Sequence, residues 1–324
     1  MEGKPLTTMN RAKGSFALRA RSFAKEMRVN RLMYLMSLPG IIYLVLFCYL
    51  PMVFIVVAFK EFNVRDGLLG SPWVGLKNFE FFFSGASKVW QTTFNTLLLN
   101  LMFIFTDLII QIGIALLFNE IRNKRFKKVA QSTMFFPYFL SWVVIGAIIY
   151  NLFSNDFGAI NGILRSMGFQ GISWFNHPEY WRAILLGSHI WKWSGYGSLI
   201  YMSAIAGFDS SIYEAASVDG ANRFQAITRL TIPMLKPTAT ILVLFAVGRI
   251  FFGDFGMVYG VVRDVGTLLQ TTEVIDTYVY RSMRQTGDFS LSAAIGIWQS
   301  ALGIIVIMIS NKLSKKYNEG NSLF

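Results

Sequence analysis

The chain has 324 residues, of which 54% are hydrophobic, 16% aromatic and 15% charged, with a formal net charge of +12 and a mean hydropathy of +0.47. It is too apolar and too poor in charge for an ordinary soluble domain, so a bilayer is the expected solvent. The single Cys48 excludes a disulfide framework and a cysteine metal cluster, and the basic residues are not gathered on one soluble face, which excludes nucleic acid as a partner.

Residues 1–34 carry eight Lys and Arg and read as a basic cytoplasmic tail lying on anionic lipid. They are not a cleavable signal, because the following apolar run is too long and lacks a small-residue cleavage pattern. From residue 35 to 311 the chain is expected to be an all-α, polytopic membrane domain. A helix needs about 20 residues to cross roughly 30 Å of hydrocarbon. Six stretches meet this: Leu35–Phe59, Thr92–Phe118, Gln131–Phe153, Ala183–Phe208, Thr238–Val262 and Ser290–Asn311. Pro39, Pro51, Pro137, Gly195 and Gly253 fall inside them, which membrane helices tolerate. The tail, the 119–130 loop, the 209–237 segment and the 312–324 tail hold nineteen basic residues against nine in loops 60–91, 154–182 and 263–289. The positive-inside rule then places both termini in the cytoplasm.

Several spans carry polar residues, which are expensive in lipid. In the second, Thr93, Thr96, Asn100, Asp107 and Gln111 share one helical stripe, and in the fourth His189, Trp193, Tyr196 and Ser203 do, with Lys192 at the edge. The fifth holds Arg249 and Asp254, the sixth Trp298, Gln299 and Ser300. Two readings are open: interhelical pairs, such as Asp107 with Lys192 or Arg249, or the lining of a passage. His177 and His189 are the only histidines and have no Cys or paired carboxylates nearby, so no metal site is expected.

Residues 209–237 interrupt this apolar pattern with "SSIYEAASVDGANRFQAITRLTIP". The segment reads as a short helix capped by Ser211, a turn at Gly220, a second helix, and a bend toward the membrane at Pro233. Tyr213, Ala216, Ala221, Phe224 and Ile227 form a small apolar surface flanked by Glu214, Asp219, Arg223 and Arg229, suited either to a groove on another protein or to the lipid surface. Its pattern of Glu214-Ala215-Ala216, Asp219-Gly220-Ala221 and Leu230-Thr231-Ile232-Pro233 resembles the EAA loop of permease subunits in binding-protein-dependent ABC importers. Leu230 and Ile232 depart conservatively from the family's pattern. "GLKNF" at 75–79, "FGAINGIL" at 157–164 and "IWKWSGY" at 190–196 resemble the carbohydrate branch, in particular the oligosaccharide and polysaccharide importer permeases, the alginate type among them.

The resemblance implies that Glu214, Ala215, Ala216, Asp219, Gly220, Ala221 and Pro233 belong to a coupling helix that fits a cleft in an ATPase subunit. Glu214 would be the acidic contact, the alanines would allow close approach, and Gly220 would make the turn. It implies a second related permease subunit, two ATP-binding subunits that hold ATP and Mg, and an extracytoplasmic solute-binding protein facing the outer loops. This chain contains no G-x-x-x-x-G-K-[ST] phosphate cradle, so no nucleotide cofactor and no enzymatic activity are expected of it. An oligosaccharide passage would use Asn100, Gln111 and Gln299 for hydroxyls, Trp193, Tyr196 and Trp298 for sugar faces, Lys192 or Arg249 for uronate carboxylates, and Asp107 and His189 beside them. The rival readings are an ion-coupled secondary transporter, which leaves residues 209–237 unexplained, and a polytopic glycosyl or lipid enzyme, which wants clustered carboxylates or histidines at the membrane face that the loops do not show.

Overall fold

A computed structural model describes Glu26, residues 28–82 and residues 87–317. The expected lipid-anchored tail lies largely outside the described residues, as do residues 318–324. The chain divides into two units, Met1–Val56 and Val57–Phe324. In the first, Arg31–Tyr43 (α1) passes through a π-helical turn, Leu44–Tyr49, and neither piece has a buried residue. A helix that is apolar all round and exposed all round is one made for lipid or for another protein.

The second unit is built on long helices. Ser87–Glu120 (α2) lies along Trp181–Ala206 (α6), and the two approach closely because Gly197 leaves room for Gln111: a Cβ at Gly197 would fall 2.0 Å from the Gln111 carboxamide. Between them in sequence come Lys124–Phe135 (α3), capped by Asn123, Trp142–Phe153 (α4), capped by Ser141, and the short Ala159–Ser166 (α5). Ser210–Val218 (α7) and Arg223–Gly248 (α8) follow, then Phe255–Val262 (α9), Ile275–Arg281 (α10) and Phe289–Tyr317 (α11). The main core sits where α9 packs on α4 and α6, with α2 lying along α6, around Trp181, Ile145, Met257 and Leu99.

Among the described residues, four helices are long and apolar enough to cross a membrane: Arg31–Phe59, Lys88–Glu120, Arg223–Gly248 and Phe289–Lys312. Three of them extend the first, second and sixth expected spans at their ends. The third span, Gln131–Phe153, is not one helix. A 3-10 turn containing Pro137 ends the first piece, Ser141 caps the next, and the two pieces meet at 98°. The fourth is the 26-residue α6, which is of membrane length but too polar to count among the apolar four; its Ser188, Lys192, Ser194 and Ser198 are buried against other elements.

The fifth span, Thr238–Val262, is corrected most. Its helix begins at Arg223 and ends at Gly248, residues 249–254 form an irregular connection, and α9 is a separate short helix. Arg249 and Asp254 therefore flank a break rather than sit within a span. Pro233 does not end the helix: α8 runs through it as one element, with a π-helical turn at Ile227–Thr231 just before it. The cap of α7 is Asp209, whose carboxylate accepts from the Ser211 N–H at 2.9 Å, so Ser211 is the residue capped and not the cap.

Candidate functional site

The break between α8 and α9 leaves backbone groups without helical partners, and side chains from distant elements supply them. Asn100 on α2 donates to the Ile250 carbonyl at 2.8 Å and to that of Phe252 at 3.2 Å. Gln299 on α11 donates to the Phe251 carbonyl at 2.8 Å and to Asp276 at 3.1 Å, while Asp276 accepts from the Gly253 N–H at 2.6 Å. Burial holds the Asp276 carboxyl above the usual carboxylate range, against the opposing pull of its Gly253 and Gln299 hydrogen bonds.

The bend between α3 and α4 is held in the same way. Lys192, 7% exposed, reaches from α6 and donates its ammonium to the carbonyls of Tyr138 at 2.9 Å and Leu140, with the rings of Trp142, Tyr138 and Trp193 around it. Neither expected partner of Asp107 is found. Its carboxylate meets His189 at 3.1 Å, one helical stripe facing the other, while His189 stacks on Phe103 with ring centroids 4.1 Å apart.

Four of the residues expected to line a passage converge. Asp107 and Gln111 on α2, and Trp193 and Tyr196 on α6, border one cavity of about 200 Å³, closed on its third side by Leu242, Val243 and Ala246 of α8. Tyr196 stacks on Tyr138 at 4.3 Å, and Trp193 meets the same ring edge-on, so aromatic faces continue from the cavity toward the bend. His189 joins the cavity through Asp107. Asn100 and Gln299 are at the break, Lys192 is at the bend, and Trp298 packs edge-to-face against Trp90. Arg249 is exposed at the C-terminal end of α8.

The segment 209–237 forms an exposed helical hairpin. Gly220, at φ +80°, makes the reversal that a side-chain-bearing residue would resist. Asn222 and Gln225 form a reciprocal capping box that restarts the helix, and the Tyr213 and Thr231 hydroxyls meet at 3.0 Å across the hairpin. Ala216, Asp219, Gly220 and Ala221 line one side of a groove of about 310 Å³, with Gln225 and Arg229 opposite. Glu214 and Ala215 lie exposed on α7 and Phe224 is 75% exposed, while Tyr213, Ala216, Ala221 and Ile227 are half-buried. Pro233 lies further along α8.

Sequence reasoning named Asp254 among the polar residues of the fifth span but missed Trp142, its partner. Trp142 donates its indole N–H to the Asp254 carboxylate at 2.9 Å, joining the bend to the break, and the other Asp254 oxygen caps α9 through the Met257 N–H at 2.9 Å. Ser141 beside Pro137, and Asp254 beside Gly253, are helix-start signals that mark both interruptions. A second cluster in the 263–289 loop has Glu273, 2% exposed, paired with Arg281 and lying 3.9 Å from Lys88. Burial holds the Glu273 carboxyl above its usual range despite these two cations.

Residues 111–318 match the family described as binding-protein-dependent transport system inner membrane component. The chain is 36% identical, over 90% of its length and 89% of the relative's, to the polygalacturonan/rhamnogalacturonan transport system permease protein YteP of Bacillus subtilis (strain 168). It is similar to a chain in the crystal structure of a bacterial ABC transporter involved in the import of the acidic polysaccharide alginate, with a TM-score of 0.84 and 30% identity, over 92% of this chain and 99% of that one. It also matches a chain of the bacterial alginate ABC transporter in complex with an alginate pentasaccharide-bound periplasmic protein, with a TM-score of 0.83 and 29% identity, over 92% and 98%.

Proposed function

The chain belongs to the binding-protein-dependent transport system inner membrane components and is a transport permease of the sugar ABC importer type, and on that premise we propose that it passes acidic oligosaccharides beside α2 and α6, driven through residues 209–237 by separate ATPase subunits. The observation that carries this reading is the continuity of α8. One helix, Arg223–Gly248, begins in the exposed hairpin and supplies Leu242, Val243 and Ala246 to the wall of the cavity bordered by Asp107, Gln111, Trp193 and Tyr196. A displacement of the hairpin therefore reaches the lining without crossing a flexible joint.

In this reading the groove beside Gly220 and the exposed Glu214-Ala215-Ala216 face contact an ATP-binding subunit, and the ATP and Mg are held there, not on this chain. A second, related permease completes the passage, and an extracytoplasmic binding protein delivers the sugar. Gln111 offers a carboxamide for hydroxyls, and Trp193 and Tyr196 offer flat faces for pyranose rings. The acidic substrate class rests on the cargo of the relatives, alginate and polygalacturonan, and on exposed Arg249 as a partner for carboxylates. Lys192 serves the bend instead, since its ammonium is already engaged by two carbonyls.

The test is uptake of labelled oligosaccharide by vesicles containing the assembled importer. Gly220→Asp and Glu214→Lys are expected to abolish uptake with the chain still inserted at normal levels; full uptake with substrate-stimulated ATP hydrolysis in either variant sinks the coupling assignment. Arg249→Gln is expected to lower uptake of acidic but not of neutral oligosaccharides of equal length. Equal loss for both removes the charge-selective reading and leaves Arg249 a structural role.

A further inference from the structure

The hydrogen bond from Trp142 to Asp254 joins two helix interruptions that belong to different parts of the chain. Asp254 is the last residue of the connection leaving α8, and Trp142 is the first residue after the 98° bend. Around this bond the packing leaves no slack. On α9, a Cβ added at Gly256 would come within 2.9 Å of the Trp142 indole, and one at Gly260 within 3.0 Å of the Trp142 carbonyl. One turn further along α4, a Cβ at Gly146 would fall 2.0 Å from the Gly260 carbonyl. Trp142 thus sits in a notch cut by two glycines, and the Lys192 ammonium lies 5.3 Å over its ring from the side of α6.

We infer that the Asp254–Trp142 pair is a strut that passes movement of α8 to the bent α3–α4 pair, so that these two residues position the passage without lining it. Neither borders the α2–α6–α8 cavity. The inference rests on α8 being the driven element, as proposed above. A push along α8 arrives at the connection 249–254, whose other anchors, Asn100, Gln299 and Asp276, belong to α2, α11 and α10. Asp254 is its contact with α4. A carboxylate–indole bond between half-buried side chains is directional, and close glycine packing allows little relaxation when one partner shifts.

The experiment compares uptake with ATP hydrolysis in the fully assembled importer carrying Trp142→Phe, Asp254→Asn or both. Because Trp142→Phe also shrinks a packed side chain, a second replacement at 142 uses the benzothiophene analogue of tryptophan, which keeps the shape and removes only the N–H donor. With the strut gone, uptake falls about tenfold while hydrolysis stays near the wild-type rate, so ATP consumed per sugar rises by about the same factor. The double variant is no worse than the poorer single one. Wild-type uptake in the analogue protein, or a parallel fall of uptake and hydrolysis, overturns the strut, as a purely structural role predicts the latter. Gly220→Asp, run beside them, separates the two levels. If it transports normally, the driven-hairpin reading fails and the strut with it; if it is dead while the analogue protein is normal, only the strut fails.

Discussion

The two ends of α8 are secured by opposite means. At its start, the hairpin is tied almost entirely to itself: Asp209 caps α7, Asn222 and Gln225 cap each other across the next turn, and Tyr213 meets Thr231. At its end, the connection 249–254 is tied to everything else, with Asn100, Gln299, Asp276 and Trp142 arriving from four separate helices. A segment satisfied by local bonds can move as a body at little cost, because its polar groups carry their partners with them. One satisfied by remote bonds moves only if its partners follow. The difference teaches how a single helix can be loose at one end and committed at the other, as the coupling proposed above requires.

Substitutions at each end sharpen or break this contrast. The largest effect is expected at the crossing of α4 and α9. Gly146→Leu forces a side chain into the Gly260 carbonyl, and no assembled protein should be recovered from membranes; normal yield would show that the two helices can separate and that the bend is not rigidly joined to the break. Asn100→Leu removes the donors to the Ile250 and Phe252 carbonyls; leaving the less exposed Ile250 group unpaired costs ~1–3 kcal/mol, and the exposed Phe252 group adds little. Its thermal unfolding midpoint in detergent should fall by several degrees, whereas an unchanged midpoint would mean that water replaces the amide. The smallest effect is expected at the hairpin. Asn222→Ala loses one half of a capping box, worth ~1 kcal/mol, and should speed hydrogen exchange at residues 223–226 while leaving the midpoint where it was. A global loss of stability in that variant would contradict the self-contained hairpin.

The hairpin was the most legible part of the chain because its signals are local. Gly220 at the reversal and the spacing from Glu214 to Pro233 are properties of consecutive residues, and the structure keeps the turn while moving the cap by two residues, from Ser211 to Asp209. The breaks were not legible as breaks. Residues 238–262 read as one apolar run because Ile250, Phe251 and Phe252 continue the pattern, and hydropathy does not register that their carbonyls have left a helix. The polar stripes were visible, but their purpose depends on those freed carbonyls. Asn100, Gln299 and Lys192 look like a wet face when the facing backbone is assumed to be satisfied, and become anchors once it is not. Asp107, Gln111, Trp193 and Tyr196 did fall together as their stripes suggested, since α2 and α6 are long helices packed against each other along their length. The choice of His189 for Asp107 needed the rotation of one helix against the other, which spacing alone does not supply.

The residues bordering the cavity and those anchoring the interruptions form two sets with no member in common. On the function proposed above, cargo preference and motive force are written in different letters of the same text. Relatives can diverge in the sugars they admit by rewriting the first set while leaving the second intact, and an engineer seeking a new diet for the cell has a short list of positions to vary and another to leave alone.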